Sequence, residues 1–190
     1  MLHTRAQIPR FILASLIAAV IAAPTSSAVP RDLDVLYFPT PQTAVEKMLE
    51  MAEITSGDVV INLGSGDGRI PITAAKVYGV TALGVDLDAE LVAKASANAE
   101  REGVAHKVTF REQDLFETDL STGTVITMFL LTSINEKLKP RLKQLKPGTR
   151  ILSYSFGMGD WAPDKTERVD GRAIHMWVIR RDTNGVTAAD

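Results

Sequence analysis

The 190-residue chain carries a formal charge of −2, 45% hydrophobic residues and no cysteine. That length fits one α/β domain rather than two, and near-neutral charge gives no whole-chain case for nucleic-acid binding. The lack of cysteine excludes a disulfide framework, a thiolate metal site and a thiol nucleophile.

At the N-terminus, Arg5 and Arg10 precede an uncharged run from Phe11 to Ala23, and Ser26-Ser27-Ala28 offers small residues for a cut after Ala28. That order matches a secretory signal peptide. The run is shorter than the roughly 20 residues of a bilayer-spanning helix. Residues 1–28 are therefore read as a signal peptide or N-terminal membrane anchor, and 29–36 as a linker. This predicts a protein exported to the periplasm or held at the inner membrane through residues 11–23. A mitochondrial transit peptide fits less well, because the leader is more hydrophobic than amphipathic.

The domain is expected over residues 37–181, before a polar tail at 182–190. Thr40 followed by Pro41 reads as an N-cap and a first helical proline. Val45, Met48, Leu49 and Ala52 follow with helical spacing, and Gly57 ends the helix. A strand over Asp58–Leu63 runs into the turn Gly64-Ser65-Gly66-Asp67-Gly68-Arg69 and then a helix to Tyr78. Thr81–Asp86 is the second strand, and Asp88 caps a helix whose buried stripe is Leu91, Val92, Ala95 and Ala99. Val108–Glu112 is the third strand. Thr124–Leu131, almost wholly apolar, reads as a central parallel strand. A basic helix over Asn135–Leu145 contains Pro140, and Arg150–Phe156 is the fifth strand. Two late strands, about Lys165–Val169 and Ala173–Arg181, flank Asp170-Gly171 and should pair antiparallel. Strand alternating with helix predicts a Rossmann-like, doubly wound, mostly parallel sheet closed by this pair. Its ligand site should lie just after strands one to five, at the carboxyl ends.

Three alternating glycines behind a buried strand let the backbone adopt φ > 0 and approach a ligand closely. The helix N-terminus behind them presents free N–H groups. Arg69 stands where a dinucleotide fingerprint would place its third glycine, so the pattern for NAD is broken. Asp86, ending the second strand, can accept both ribose hydroxyls of a nucleoside. Asp114, after the third strand, can accept from an adenine amino group with Leu115 against the ring. These features in register point to a nucleoside-containing ligand. No histidine–acid cluster has metal-ligand spacing, so no metal is expected. Lys137, Lys139, Arg141, Lys143, Lys146 and Arg150 read as a solvated basic face that could dock an acidic partner or lipid headgroups. His175 reads as structural, and Trp161 as either a cover over the site or packing beneath its loop.

On these residues the chain resembles class I S-adenosylmethionine-dependent methyltransferases, over roughly Tyr37 to Arg181. Phe38-Pro39-Thr40, the Gly-Ser-Gly-Asp-Gly-Arg turn and the stretch Asp160-Trp161-Ala162-Pro163-Asp164 narrow the resemblance. They are similar to the mitochondrial lysine methyltransferases that act on the c-ring protein of ATP synthase and on the adenine nucleotide translocase, and to their bacterial relatives. The resemblance implies S-adenosyl-L-methionine as cofactor. It implies a binding set of Thr40, Asn62, Gly64, Ser65, Gly66, Asp67, Gly68, Asp86, Leu87, Asp114 and Leu115, with Thr40 reaching the cofactor's carboxylate. Two positions depart from the pattern. Asn62 stands where the superfamily usually keeps an acid that holds the cofactor's amino group, which should weaken binding by on the order of 1 kcal/mol. Thr132 stands where the bacterial relatives tend to have proline.

Methyl transfer from a sulfonium is an in-line displacement governed by positioning. A lysine acceptor must also lose its proton. Asn135, Asp160, Tyr37 and Thr132 are the candidates to align or deprotonate it. The sequence thus predicts a methyltransferase that N-methylates a protein lysine, with no specific nucleic-acid partner. The rival readings are a non-catalytic nucleoside-binding protein on the same fold, and a methyltransferase for a small molecule or lipid. Export would conflict with a cytosolic cofactor supply. Oligomeric state is not legible.

Overall fold

The structure is a computed structural model and describes residues 38–181. The segments 1–28, 29–36 and 182–190, and Tyr37, lie outside the described residues.

The elements in chain order are α1 (Gln42–Met51), β1 (Val59–Leu63), α2 (Arg69–Tyr78), β2 (Thr81–Asp86), α3 (Ala89–Arg101), β3 (Val108–Glu112), β4 (Val125–Met128), α4 (Thr132–Leu142), β5 (Arg150–Tyr154), β6 (Lys165–Val169) and β7 (Arg172–Val178). One seven-stranded sheet has the order β3-β2-β1-β4-β5-β7-β6. The first five strands run parallel, and β7 lies antiparallel to both β5 and β6. The doubly wound fold with its antiparallel C-terminal pair is therefore as expected. Asp170 (φ 50°) and Gly171 (φ 78°) form the tight turn that joins β6 to β7, since paired positive φ values match the twist of a two-residue hairpin.

Side chains alternate across each strand, so the two faces feed two cores. Val60, Ala82, Val108, Val125 and Leu152 pack beneath Ala44, Val45, Met48, Leu49, Ile70 and Ala74 of α1 and α2. Ile61, Leu63, Val85, Ile126, Met128 and Ile151 face Ile134, Leu138 and Leu142 of α4. Because β1 and β4 are covered on both faces, their sequences are nearly continuous in apolar residues.

Several boundaries differ from the sequence reading. Pro41, not Thr40, occupies the N-cap of α1, and its carbonyl accepts from Ala44 N and Val45 N (both 3.0 Å). β4 stops at Met128 and α4 begins at Thr132, because Leu131 turns the chain and its carbonyl accepts from Ile134 N and Asn135 N (both 3.0 Å). β5 ends at Tyr154, where Ser155 adopts φ 67°. Asp88 does cap α3, accepting from Glu90 N (2.8 Å) and Leu91 N (3.2 Å). Leu91 and Val92 are only half-buried, which leaves Ala95 and Ala99 as the buried positions of that helix.

Among the described residues no helix is long and apolar enough to cross a membrane. The expectation of a protein exported or anchored at the inner membrane therefore finds no support in the described residues. The segment 11–23 on which that expectation rested lies outside the described residues.

Candidate active site

A cavity opens at the carboxyl ends of β1, β2, β3 and β4, across the point where the strand order reverses. Its floor is the turn after β1. Gly64, Gly66 and Gly68 there take φ values of 72°, 54° and 81°. A Cβ at Gly68 would meet Phe110 Cζ at 2.5 Å and Ala95 Cβ at 2.9 Å, so a side chain is excluded by space as well as by backbone. The turn is braced from each neighbouring element. Gly64 N and Ser65 N donate to Val85 O (3.0 and 2.9 Å). Gly66 N donates to Asp86 Oδ2 (2.8 Å), and Asn98 Nδ2 of α3 donates to Asp67 O (2.8 Å).

The structure brings Thr40, Asn62, Gly64, Ser65, Gly66, Asp67, Asp86, Leu87, Asp114 and Leu115 to the lining of this cavity. Gly68 is the exception within the implied set. It caps α2 behind the lining and packs on Phe110 and Ala95. Asp86 accepts Gly66 N through one oxygen and Asp88 N (3.2 Å) through the other. A carboxylate has about four acceptor positions, so it retains capacity toward the cavity. Asp114 Oδ1 accepts from Phe116 N (2.8 Å), which fixes its orientation beside Leu115. Asn62, nearly fully buried, donates Nδ2 to Thr127 O (3.0 Å). The amide is thereby orientated, and its oxygen is left as the group that can serve a ligand.

Four carboxylates, Asp67, Asp86, Asp88 and Asp114, line the cavity with a single guanidinium, Arg69. That charge balance suits a cationic ligand and disfavours a pyrophosphate. The part of the lining that follows β4 or precedes α1 supplies the apolar side chains Phe38, Phe129, Leu130 and Ile134, with Leu130 beside Gly64. Phe129 is held edge-on to Tyr154 (4.9 Å) and stacked on Phe156 (6.0 Å). The cavity therefore combines carboxylates carried by β1–β3 and their following turns with apolar side chains carried by the segments after β4 and before α1.

Of the four candidates for handling an acceptor amine, the three that are described, Thr132, Asn135 and Asp160, do not line the cavity; Thr132 is exposed at the start of α4. Asn135 is fully buried and donates Nδ2 to Ser153 Oγ (3.2 Å), Phe156 O (3.3 Å) and Gly157 O (3.1 Å), so it anchors the loop after β5. It does not line the cavity. Asp160 is 88% exposed on its side chain and ion-paired with Lys139. That hydrogen bond holds its carboxyl below the usual range, as a paired carboxylate away from the lining. Tyr37 lies outside the described residues. The described residues after β5 contribute nothing to the lining, contrary to expectation, because Asn135 and Ser153 fold that loop back onto α4.

Other expectations resolve in the same way. Trp161 packs beside Trp177 (5.8 Å) under Lys143 (5.2 Å to the ring) and does not cover the cavity. His175 sits half-buried against Thr166 Oγ1 (3.0 Å), and burial followed by the Arg168 charge pushes its pKa down. Two of the six residues of the basic face are spent inward, while Lys137, Lys143 and Lys146 are exposed. Arg141 donates to the carbonyls of Leu115, Phe116 and Thr118, and Arg150 to Asp58 and Ala52 O (2.6 Å). Gln113, Phe129 and Arg69 line the cavity, although sequence reasoning does not mark them as site residues. The last carries a usable signal, because a cation at the first position of a helix opposes the helix dipole.

Comparison with known proteins places this geometry. The ANTKMT methyltransferase domain family matches residues 62–165. A protein-lysine N-methyltransferase of Saccharolobus islandicus is 47% identical over 149 residues, covering 75% of this chain and 92% of that protein. The adenine nucleotide translocase lysine N-methyltransferase of Mus musculus is 31% identical over 163 residues, covering 83% of this chain and 71% of that protein. A crystal structure described as an RNA methyltransferase from Salinibacter ruber, in complex with S-adenosyl-L-homocysteine, is 48% identical. It covers 76% of this chain and 95% of that one, with a TM-score of 0.75.

Proposed function

Since the chain belongs to the ANTKMT methyltransferase domain family and is an S-adenosylmethionine-dependent methyltransferase, we propose that it methylates the side-chain nitrogen of lysine in a protein. The cofactor supplies an electrophilic methyl group on a sulfonium. The residues of this chain hold and orient both partners. Asp86 and Asp114 are the acceptors for the ribose and the adenine amino group. Asn62, through its free oxygen, and Thr40 serve the amino-acid end, and Gly64 to Asp67 form the floor.

The observation that carries the reading is one cavity lined both by four carboxylates from β1–β3 and their following turns and by the apolar Phe38, Phe129, Leu130 and Ile134. An amine entering past these apolar side chains loses hydration, which favours its neutral, nucleophilic form. No described carboxylate lies on the segments that supply them, so desolvation and alignment, rather than a dedicated base, are the chain's contribution.

A second acceptor class enters because the Salinibacter protein is described as an RNA methyltransferase. A phosphate backbone calls for lysine and arginine beside the cavity. Here no described lysine lines the cavity, its one arginine is forked onto Asp67, and the lining is acidic. The protein acceptor is therefore favoured. The test is radiolabel transfer from S-adenosylmethionine into a cell extract, split into protein and RNA fractions, followed by hydrolysis and amino-acid analysis. Label in methylated lysine is the expected result. Label that survives protease but not ribonuclease would overturn it.

A further inference from the structure

Arg69 occupies the first position of α2, where a cation opposes the helix dipole. Its guanidinium is committed on two sides. Nε and one terminal nitrogen fork onto Asp67 (2.9 and 2.6 Å), and the other terminal nitrogen donates to the carbonyl of Thr40 (2.8 Å). Arg69, Asp67 and Thr40 all line the cavity.

Phe38, Pro39 and Thr40 line the cavity, yet Pro39 and the Pro41 that follows have no N–H to donate. Among the described residues, the bond from Arg69 to the Thr40 carbonyl is the one hydrogen bond made by residues 38–40. Phe38 is 65% exposed, so burial does little to fix it. Among the described residues, the strap that brings Phe38 and Thr40 to the cavity is thus hydrogen-bonded to the glycine turn through the Arg69 side chain.

We propose that Arg69 is a positioning residue for methyl transfer, which clamps the strap of residues 38–41 to the glycine turn and so sets cofactor affinity and acceptor alignment together. The inference rests on the cofactor reading above. Lysine cannot replace it, because a point charge cannot fork onto a carboxylate and reach a carbonyl at once.

Charge and position predict opposite outcomes, which makes the idea testable. Removing the guanidinium takes one positive charge away from a lining that receives a cationic cofactor. Electrostatics alone would tighten binding of S-adenosylmethionine, whereas loss of the clamp weakens it. Calorimetric titration of the wild-type protein, Arg69→Met and Arg69→Lys with S-adenosylmethionine and S-adenosylhomocysteine separates the two. The expected result is at least a tenfold loss of affinity for both ligands in Arg69→Met. Arg69→Lys should show a smaller loss with unchanged far-ultraviolet circular dichroism, and a raised acceptor KM at saturating cofactor. Equal or tighter binding of S-adenosylmethionine by a folded Arg69 variant would overturn the clamp while leaving the cofactor reading intact. Absence of binding by the wild-type protein would overturn both.

Discussion

Asn62 shows how one atom changes the meaning of a motif residue. Its amide hydrogen bonds to Thr127 O, so the side chain serves the fold with nitrogen and the cavity with oxygen. An aspartate there would gain charge for the cofactor's ammonium but would turn a carboxylate oxygen toward a carbonyl. Asn62→Asp is expected to lose on the order of 1–3 kcal/mol in the cofactor-free protein, through a lost hydrogen bond and a buried charge. It should recover more of its thermal stability than the wild type when the cofactor is added. Thermal melts with and without S-adenosylmethionine read both effects, and equal shifts in the two proteins would refute the account. The acidic lining is legible in the sequence because Asp86 and Asp114 follow strands whose ends are marked by composition. Arg69 is visible there as a missing glycine and as a cation at a helix start, but its partnership with Asp67 and the Thr40 carbonyl is made by tertiary structure. Asn135 misleads for a related reason. A polar residue near a strand end looks available, and only packing reveals that the loop carbonyls of Phe156 and Gly157 occupy it.

At the level of elements, the junction of α1, β1, β4 and β5 rests on Asp58. This carboxylate is 7% exposed and accepts from Thr55 N (2.7 Å), Thr55 Oγ1 (3.0 Å), Thr124 Oγ1 (2.6 Å) and Arg150. Burial raises its pKa, but the hydrogen bonds from Thr124, Thr55 and Arg150 outweigh it, and the carboxyl sits below its ordinary value of 3.8. A group depressed on folding contributes stability above its unfolded pKa and loses it as the pH falls through the folded one. Urea midpoints should therefore drop with acidification below about pH 4. Asp58→Asn should flatten that segment while costing about 1.5–3 kcal/mol at neutral pH. An unaltered acid profile in the variant would contradict this. The apolar run through Leu131 conceals the true end of β4, because Phe129 and Leu130 are hydrophobic for the cavity's sake rather than the sheet's.

The whole molecule is organised by strand order. A cavity assembled from residues as distant as Phe38 and Ile134 exists only when β2 and β4 flank β1. Alternation of strand and helix makes this architecture readable in advance, whereas the side the lead-in segment closes is not, because no periodic pattern encodes it. β5 is apolar and buried, and β7 covers its outer edge. A chain ending at Phe156 would leave that edge unpaired, and exposed apolar edges associate. Such a chain is expected to elute as oligomers or precipitate, as size-exclusion chromatography would register, while a monomeric, cofactor-binding truncation would refute the role given to the hairpin.

The carboxylates that line the cavity also bear on turnover. Methyl transfer removes the sulfonium charge, so the spent cofactor carries one positive charge fewer than the donor into the same ring of Asp67, Asp86, Asp88 and Asp114. Attraction to that ring therefore helps retain the donor more than the product, which relieves product inhibition. Added salt screens this difference. The ratio of product to donor dissociation constants should shrink as ionic strength rises, and a salt-independent ratio would show that shape, not charge, governs release.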